Sequence, residues 1–409
     1  MSDDALKKST MAEVAIVRVF VVICQLVFLK VYTHYVSLYE LGIYYFLFTI
    51  SYSLNAFVLV PLDYFQQSQL YKFKQLNISL RSLFYINKLI IRLALILMLV
   101  SCGICAFIKP ELCLLMLLVI LLSVSTYGVS MTRGIINNLE LRRQAIYTLL
   151  FETVAKVLIF LVLLQFLKPT ALLILSSMLC ASAISLILLF ILLKRLPEYK
   201  APNLIKFNIK DIFHFAYPIS IGAVINWIQL QSYTLVLVPL GFVEAVGIFG
   251  TVANIGSSGM NACSTVFSQL FVPNIYKSNG TYITIYIRNA VFAILFVLTC
   301  STLLSDIIVG LLTKASLIPY SKILIYGILT EGGNFLIGSL TIYFTIHNFT
   351  KSTIKMSLLG LVIFFISFFT LFALQKISPF TLGIPMVLTQ YVIAGGLFLL
   401  VYKHTKHAI

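Results

Sequence analysis

Charge is what this 409-residue sequence has least of. Asp, Glu, Lys and Arg together make up only 10% of it, against roughly 25% in soluble globular chains. Hydrophobic residues account for 60%, and the mean hydropathy is +1.03. A water-soluble fold is therefore excluded, and the composition is that of a polytopic membrane protein. Acids are the scarcest ions, 13 against 29 Lys and Arg, which leaves a formal net charge of +16. In a soluble chain that excess would point to nucleic acid; here the cations must first be placed against a bilayer. No G-x-x-x-x-G-K-[ST] run occurs, so the chain carries no phosphate loop for ATP. The five histidines are scattered and the seven cysteines are an odd set that builds no disulfide framework. Cys102-Gly103-Ile104-Cys105 has redox or zinc spacing, but it lies in an apolar run with no second pair and reads as small-residue packing. No Ser/His/Asp or metal-ligand group assembles on one side of the membrane. Neither a catalytic residue nor a metal or cofactor is expected, and the chain reads as a non-enzyme.

Long apolar runs are what it has in abundance. They fall at 11–32, 41–62, 86–108, 112–135, 146–167, 171–193, 214–238, 245–272, 285–310, 320–346, 354–375 and 383–402. Each is long enough for a helix to cross the hydrocarbon core, which takes about 20 residues. The runs are too long for barrel strands and lack period-2 alternation. Twelve crossings occupy roughly 240 residues at that length, so no sizeable soluble domain fits between them. Short turns such as Lys109-Pro110-Glu111 and Lys168-Pro169-Thr170 join them. With twelve crossings, 23 of the 29 cations share the side of the N-terminus, and the other side keeps Lys30, Lys109, Lys168, Lys314, Lys322 and Lys376. By the positive-inside rule both termini face the cytoplasm. The first run lacks a small-residue cleavage site and reads as a retained helix rather than a signal peptide. The sequons at Asn77, Asn279 and Asn348 then fall on the cytoplasmic side, where no glycosylation is expected.

The chain also repeats itself. Glu40-Leu41-Gly42-Ile43-Tyr44 opens the second run as Glu244-Ala245-Val246-Gly247-Ile248-Phe249 opens the eighth, and Tyr71-Lys72 and Tyr276-Lys277 each follow the glycine by 29 residues. The offset is about half the chain. Six crossings per half keep both copies in the same orientation, a parallel repeat. The expected organisation is an N-terminal lobe over 1–193, a cytoplasmic linker over 194–211 with Pro197 and Pro202, and a C-terminal lobe over 212–409.

This arrangement, the Phe215-Ala216-Tyr217-Pro218-Ile219-Ser220 start of the seventh helix and the following Val246-Gly247-Ile248-Phe249 resemble the polysaccharide flippases of the MATE-like (MOP) exporter superfamily. The likeness is to the O-antigen flippase (Wzx) family of Gram-negative bacteria. It covers the whole chain as architecture, on motifs that are short and degenerate. The resemblance implies an all-α, MATE-like fold, a V-shaped pair of lobes around a cavity in the inner membrane. It also implies movement of an undecaprenyl-diphosphate-linked O-antigen repeat unit from the cytoplasmic to the periplasmic leaflet. Membrane lipids, and the polymerase and chain-length machinery of lipopolysaccharide biosynthesis, are the partners it implies; nucleic acid is not among them.

Independently of any resemblance, an ionisable side chain in a span costs about 2.5–3.5 kcal/mol at mid-membrane and needs a reason. Arg18 and Gln25 share a face of the first helix, lining a cavity or, for Arg18, snorkelling to the headgroups. Glu152 and Lys156 are spaced as an i, i+4 pair, either mutual neutralisation or a site that opens to an anionic substrate. Arg92, Arg288 and Arg133 lie near helix ends, where snorkelling explains them, although Arg133 is kept among the candidate substrate contacts. Asn226, Gln229 and Tyr233 beside Trp227, and Asn254, Ser258, Asn261 and Thr265, form two polar stripes. Each stripe serves helix-to-helix hydrogen bonding or a water-filled path for sugar hydroxyls. Glu331, before Gly332-Gly333-Asn334, marks an expected break in its helix and, with Glu152, a candidate for ion coupling. Asp63 reads as a helix-end residue. Two further functions stay open: a cation-coupled drug or metabolite antiporter, and a polysaccharide polymerase or ligase. The short external connections speak against the latter.

Overall fold

A computed structural model describes residues 3–108, 111–139, 141–278, 280–347 and 349–407. The Lys109-Pro110 turn and the sequon residues Asn279 and Asn348 lie outside them. The N-terminal half runs through α1 (Asp3–Tyr35), α2 (Leu38–Leu54), a π-turn (Asn55–Leu59), α3 (Val60–Gln75), a 3₁₀ turn (Leu80–Leu83), α4 (Phe84–Ile108), α5 (Glu111–Asn138), α6 (Arg142–Leu163) and α7 (Ala171–Arg195). A single turn, α8 (Pro197–Lys200), leads to α9 (Ile209–Leu237) and α10 (Val243–Lys277). Then come α11 (Ile283–Leu303), α12 (Ser305–Leu312), a 3₁₀ segment (Ala315–Ile323), α13 (Leu324–Ile346), α14 (Thr350–Ala373) and α15 (Gly383–His407). Among the described residues the only β pairing is one bridge between Ile78 and Asn203.

Among the described residues ten stretches are both long and apolar enough to cross a membrane. The other two expected crossings are α9 and α10, which are 29 and 35 residues long but carry the two polar stripes, and those stripes lower their hydropathy. The chain divides into two compact units, Met1–Glu40 with Phe46–Val224, and Leu41–Tyr45 with Ile225–Ile409. The helix pairings within each unit repeat. In the first, α3 and α4 pack on α5, α5 on α7 and α6 on α7; in the second, α10 and α11 pack on α13, α13 on α15 and α14 on α15.

The copies differ where the α2–α3 helix corresponds to α10 in the repeat. The helix begun at Leu38 widens into the π-turn at Asn55–Leu59 and resumes as α3, whereas α10 is continuous. Pro61 supplies the cause: it has no N–H, and its ring would strike the carbonyl one turn back in a regular helix. The counterpart of Pro61 half a chain away is Val266, which imposes no such demand.

Inside the first unit, the 75–83 turn is held down by the segment after α7. Ser79 Oγ donates to the Tyr199 carbonyl at 2.6 Å, Ser79 N to the Asn203 carbonyl at 2.8 Å and Ile205 N to Ser82 Oγ at 3.0 Å. Phe207 stacks on Phe73. The polar linker is thus an ordered strap, since backbone groups beneath it need partners.

Glu40 ties two helices of this unit together. Its backbone N–H is capped by Ser37 Oγ, and its carboxylate accepts from Ala171 N, the first residue of α7, at 2.8 Å. Thr170, at the cap position of α7, makes no side-chain cap of its own. Glu40→Ala is expected to cost about 1–2 kcal/mol, the range for a lost helix cap. Thermal unfolding of the detergent-solubilised protein checks this; an unchanged midpoint contradicts the cap.

Candidate functional site

The densest ionic group sits in the N-terminal unit between α5 and α6. Glu152 is buried, its side chain 7% exposed, and binds two cations at once: Arg133 Nη2 to Oε2 at 2.6 Å and Lys156 Nζ to Oε1 at 2.7 Å. The i, i+4 pairing on α6 therefore forms, and Arg133 joins it from α5. Arg133 does not snorkel to a helix end, which corrects that expectation. Its guanidinium turns inward because α5 and α6 pack on one another and Glu152 offers a buried anion. The triad carries one net positive charge, and Arg133 Nε is buried without a hydrogen-bond partner. A buried donor left unmade costs roughly 1–3 kcal/mol, so the site has unused capacity for an acceptor.

Arg18 and Gln25 come to the same level on a neighbouring helix. Near the starts of α1 and α6, Glu13 pairs with Arg143 at 2.8 Å and accepts from Tyr147 Oη at 2.8 Å; further along, Phe28 packs edge-on against Phe160. The two helices are thus parallel, in a register that sets Phe20 beside Glu152. Arg18 and Gln25 fall on either side of that level and are both exposed. Arg92 and Arg288 are likewise exposed.

In the second unit the two polar stripes separate. On α10, Asn254, Ser258 and Asn261 are exposed, while Thr265 turns its hydroxyl back to the Asn261 carbonyl at 2.8 Å. Of the α9 stripe only Asn226 is exposed. Trp227 (8%), Gln229 (2%) and Tyr233 (6%) are buried, and Gln229 Nε2 donates to the Ser357 carbonyl of α14 at 2.8 Å. Gln229 is thereby engaged in helix packing, and Trp227 is buried beside it.

Glu331 lies on α13, which is an unbroken helix, and the break expected at Gly332-Gly333 is absent. The glycines serve contact instead: a Cβ on Gly333 would meet Gln390 Cβ at 2.6 Å, and one on Gly332 would meet Ile294 at 3.1 Å. Asp63 lies in the first turn of α3 but is buried there. It is 6% exposed, four residues into α3 and one turn after the π-turn. Among the described residues no group of His, Cys, Asp and Glu could hold a metal ion, and the cysteines described, including Cys102, are free.

No protein-family profile and no curated relative matches the sequence. Solved structures do. A lipid II flippase, MurJ, in an inward closed conformation superposes with a TM-score of 0.68 at 15% identity, over 96% of this chain and 87% of that one. An outward-facing multidrug resistance MATE family transporter of the MOP superfamily gives 0.51 at 11% identity, over 96% of each chain. The chain is a multi-pass, all-α membrane protein with the MATE-like fold.

Proposed function

We propose that this protein is a flippase that moves an undecaprenyl-diphosphate-linked oligosaccharide, an O-antigen or related polysaccharide repeat unit, from the cytoplasmic to the periplasmic leaflet. The observation that carries this reading is the Arg133–Glu152–Lys156 triad, a buried group with a net positive charge and a spare donor. Planar guanidinium with its several N–H groups suits a phosphate, and charge-assisted bonds of this kind are the strong ones. Arg18 and Gln25 at the same depth extend the polar surface. The exposed Asn226, Asn254, Ser258 and Asn261 suit sugar hydroxyls. Polar side chains are expensive in lipid, so exposed ones on membrane helices belong against a water-filled cavity. The fold shared with a lipid II flippase supports the reading.

In this mechanism the two six-helix lobes, joined by the 194–211 linker, alternate access. The diphosphate is drawn to the N-terminal lobe, the glycan lies along the stripe of α10, and the lipid tail stays in the bilayer. The cation excess orients both termini to the cytoplasm of a bacterial inner membrane, with the polymerase and chain-length machinery receiving the product. An inside-negative potential helps, by about 2.3 kcal/mol per charge per 100 mV.

Arg133→Gln and Lys156→Gln each leave Glu152 with one cation and remove the net charge. Each is expected to weaken binding of a diphosphate-linked lipid roughly 10–100-fold, the equivalent of one charge-assisted hydrogen bond. Binding of a neutral glycolipid should be unchanged. Proteoliposomes loaded with fluorescent lipid-linked oligosaccharide measure both. Equal loss for charged and neutral lipids rules out the phosphate role, and ion-driven efflux of cationic drugs without lipid movement would establish the antiporter instead.

A further inference from the structure

The N-terminal unit holds a second buried polar system that the triad does not use. It runs along the seam between the α2–α3 helix and α5. Ser51 and Ser123 share a hydrogen bond at 2.8 Å, and Asn55 Nδ2 donates to the Ser51 carbonyl and lies 3.4 Å from Thr126 Oγ1. Beyond the π-turn, Gln66 Nε2 donates to Asn87 Oδ1 at 3.2 Å while Tyr127 Oη donates to Gln66 Oε1 at 3.3 Å. Asp63 stands in this seam. Gln67 Nε2 donates to its Oδ1 at 2.9 Å, and Ser130 supplies a second hydrogen bond.

All the partners of Asp63 are neutral. Among the described residues no Lys or Arg forms an ion pair with it; the three ion pairs belong to Glu152 and Glu13. On α5, Tyr127 is the titratable neighbour, and Arg133 is engaged by Glu152. Lys88 and Arg92 on α4 are exposed, and Arg81 of the 3₁₀ turn reaches the Tyr199 carbonyl. The π-turn Asn55–Leu59 has no ionisable residue; the strap meets α3 through Phe207 and the start of α9 does so through Phe215, both packed on Phe65, and the titratable Asp211 and His214 of α9 are exposed. An acid removed from water and without a counter-ion takes up a positive species or loses its charge.

The geometry favours a proton over a metal cation. Gln67 Oε1 accepts from Asn138 Nδ2 at 3.2 Å, so the amide turns its NH₂ towards Asp63. A sodium ion would need oxygens there. Ser130 is exposed and gives the carboxyl a route to water. The helix carrying Asp63 has its one irregular turn immediately before it, and π-turns mark places where a helix changes shape. We propose that Asp63 is a proton-binding site of the N-terminal unit and that its charge state sets how α3, below the π-turn, seats against α5. Uptake adds one proton to a carboxylate oxygen and removes the anion that the donors of Gln67 and Ser130 now serve, so the hydrogen bonds across the seam must rearrange.

The test needs no transported substrate. Infrared difference spectra of the full-length protein in nanodiscs, titrated with acid in Na⁺-free buffer, should show a protonated-carboxyl C=O band that is lost in Asp63→Asn and kept in Glu331→Gln. Amide hydrogen exchange over residues 55–63 should change across the same pH range in the parent and be pH-independent in Asp63→Asn. Should Asp63→Asn not fold, Ser130→Ala removes a donor to the ionised form and should move the midpoint of the band to higher pH. A band that persists in Asp63→Asn, a midpoint unmoved by Ser130→Ala, or exchange indifferent to pH overturns the proposal. So does abolition of the band by Na⁺ at fixed pH, which would make Asp63 a sodium site.

Discussion

Glu152→Gln is expected to destabilise the N-terminal unit by about 3–5 kcal/mol, the cost of stranding partners of a buried ion pair. Among the described residues Glu152 is the one anion paired with Arg133 and Lys156, whose side chains are only 19% and 20% exposed. Without it, two cations remain close together in an apolar surround, and neither can retreat to water without dragging its helix. The complementary variant separates stability from function. Arg133→Met, Glu152→Leu and Lys156→Met together remove every charge, and apolar replacement of a buried ionic group is often neutral or stabilising. That triple variant should unfold at or above the parental temperature and yet move no diphosphate-linked lipid. Thermal unfolding in nanodiscs and the proteoliposome assay read the two properties independently. A Glu152→Gln protein as stable as the parent contradicts the pairing, and a triple variant with full transport removes the triad from the mechanism.

The second large effect lies in the other unit. Gly327→Leu is expected to cost about 3 kcal/mol or more, at the upper end for overpacking, because the crossing of α10 and α13 is built on glycine. A Cβ at Gly327 would land on the Ala253 carbonyl, and one at Gly256 on the Leu324 carbonyl. Both obstacles are backbone, which cannot rotate aside as a side chain does. Small residues at such contacts let membrane helices approach closely. A Cβ at Gly338 on the same α13 meets nothing within 4 Å, so Gly338→Leu serves as the control, expected to be neutral. Folded yield and unfolding temperature of the two variants should diverge; equal behaviour contradicts the glycine seam.

The contrast between Gly327 and Gly332-Gly333 shows where reading a linear pattern stops. Consecutive glycines lower helix propensity, and on that ground a break was expected beside Glu331. Propensity is a local quantity, while α13 is surrounded by α10, α11 and α15, and packing outweighs it. Asp63 failed in the opposite way: placed near the end of an apolar run it looked peripheral, yet the helix continues to Gln75 and buries it. Arg133 was seen as one cation near a helix end because its partner lies on the next helix, 19 residues on. The short gap between the apolar runs 112–135 and 146–167 was the available signal that the two helices are neighbours. Gln229 and Asn254 carried the same type of signal, a polar residue at helical spacing, and had opposite fates. One is consumed by the Ser357 carbonyl and the other is exposed.

The amino-acid sequence alone determined that this chain lives in a membrane, that it crosses as helices and that its two halves repeat. Those follow from quantities summed over many residues: transfer of apolar side chains, the need to satisfy every backbone group in lipid, and an offset of half the chain between like segments. Only the tertiary structure decided which of the few polar groups are committed to one another and which are open. That depends on single contacts between different helices: Arg133 with Glu152, Asn138 with Gln67, Gln229 with Ser357. At these places one hydrogen bond in a medium without water separates a structural residue from one with a function.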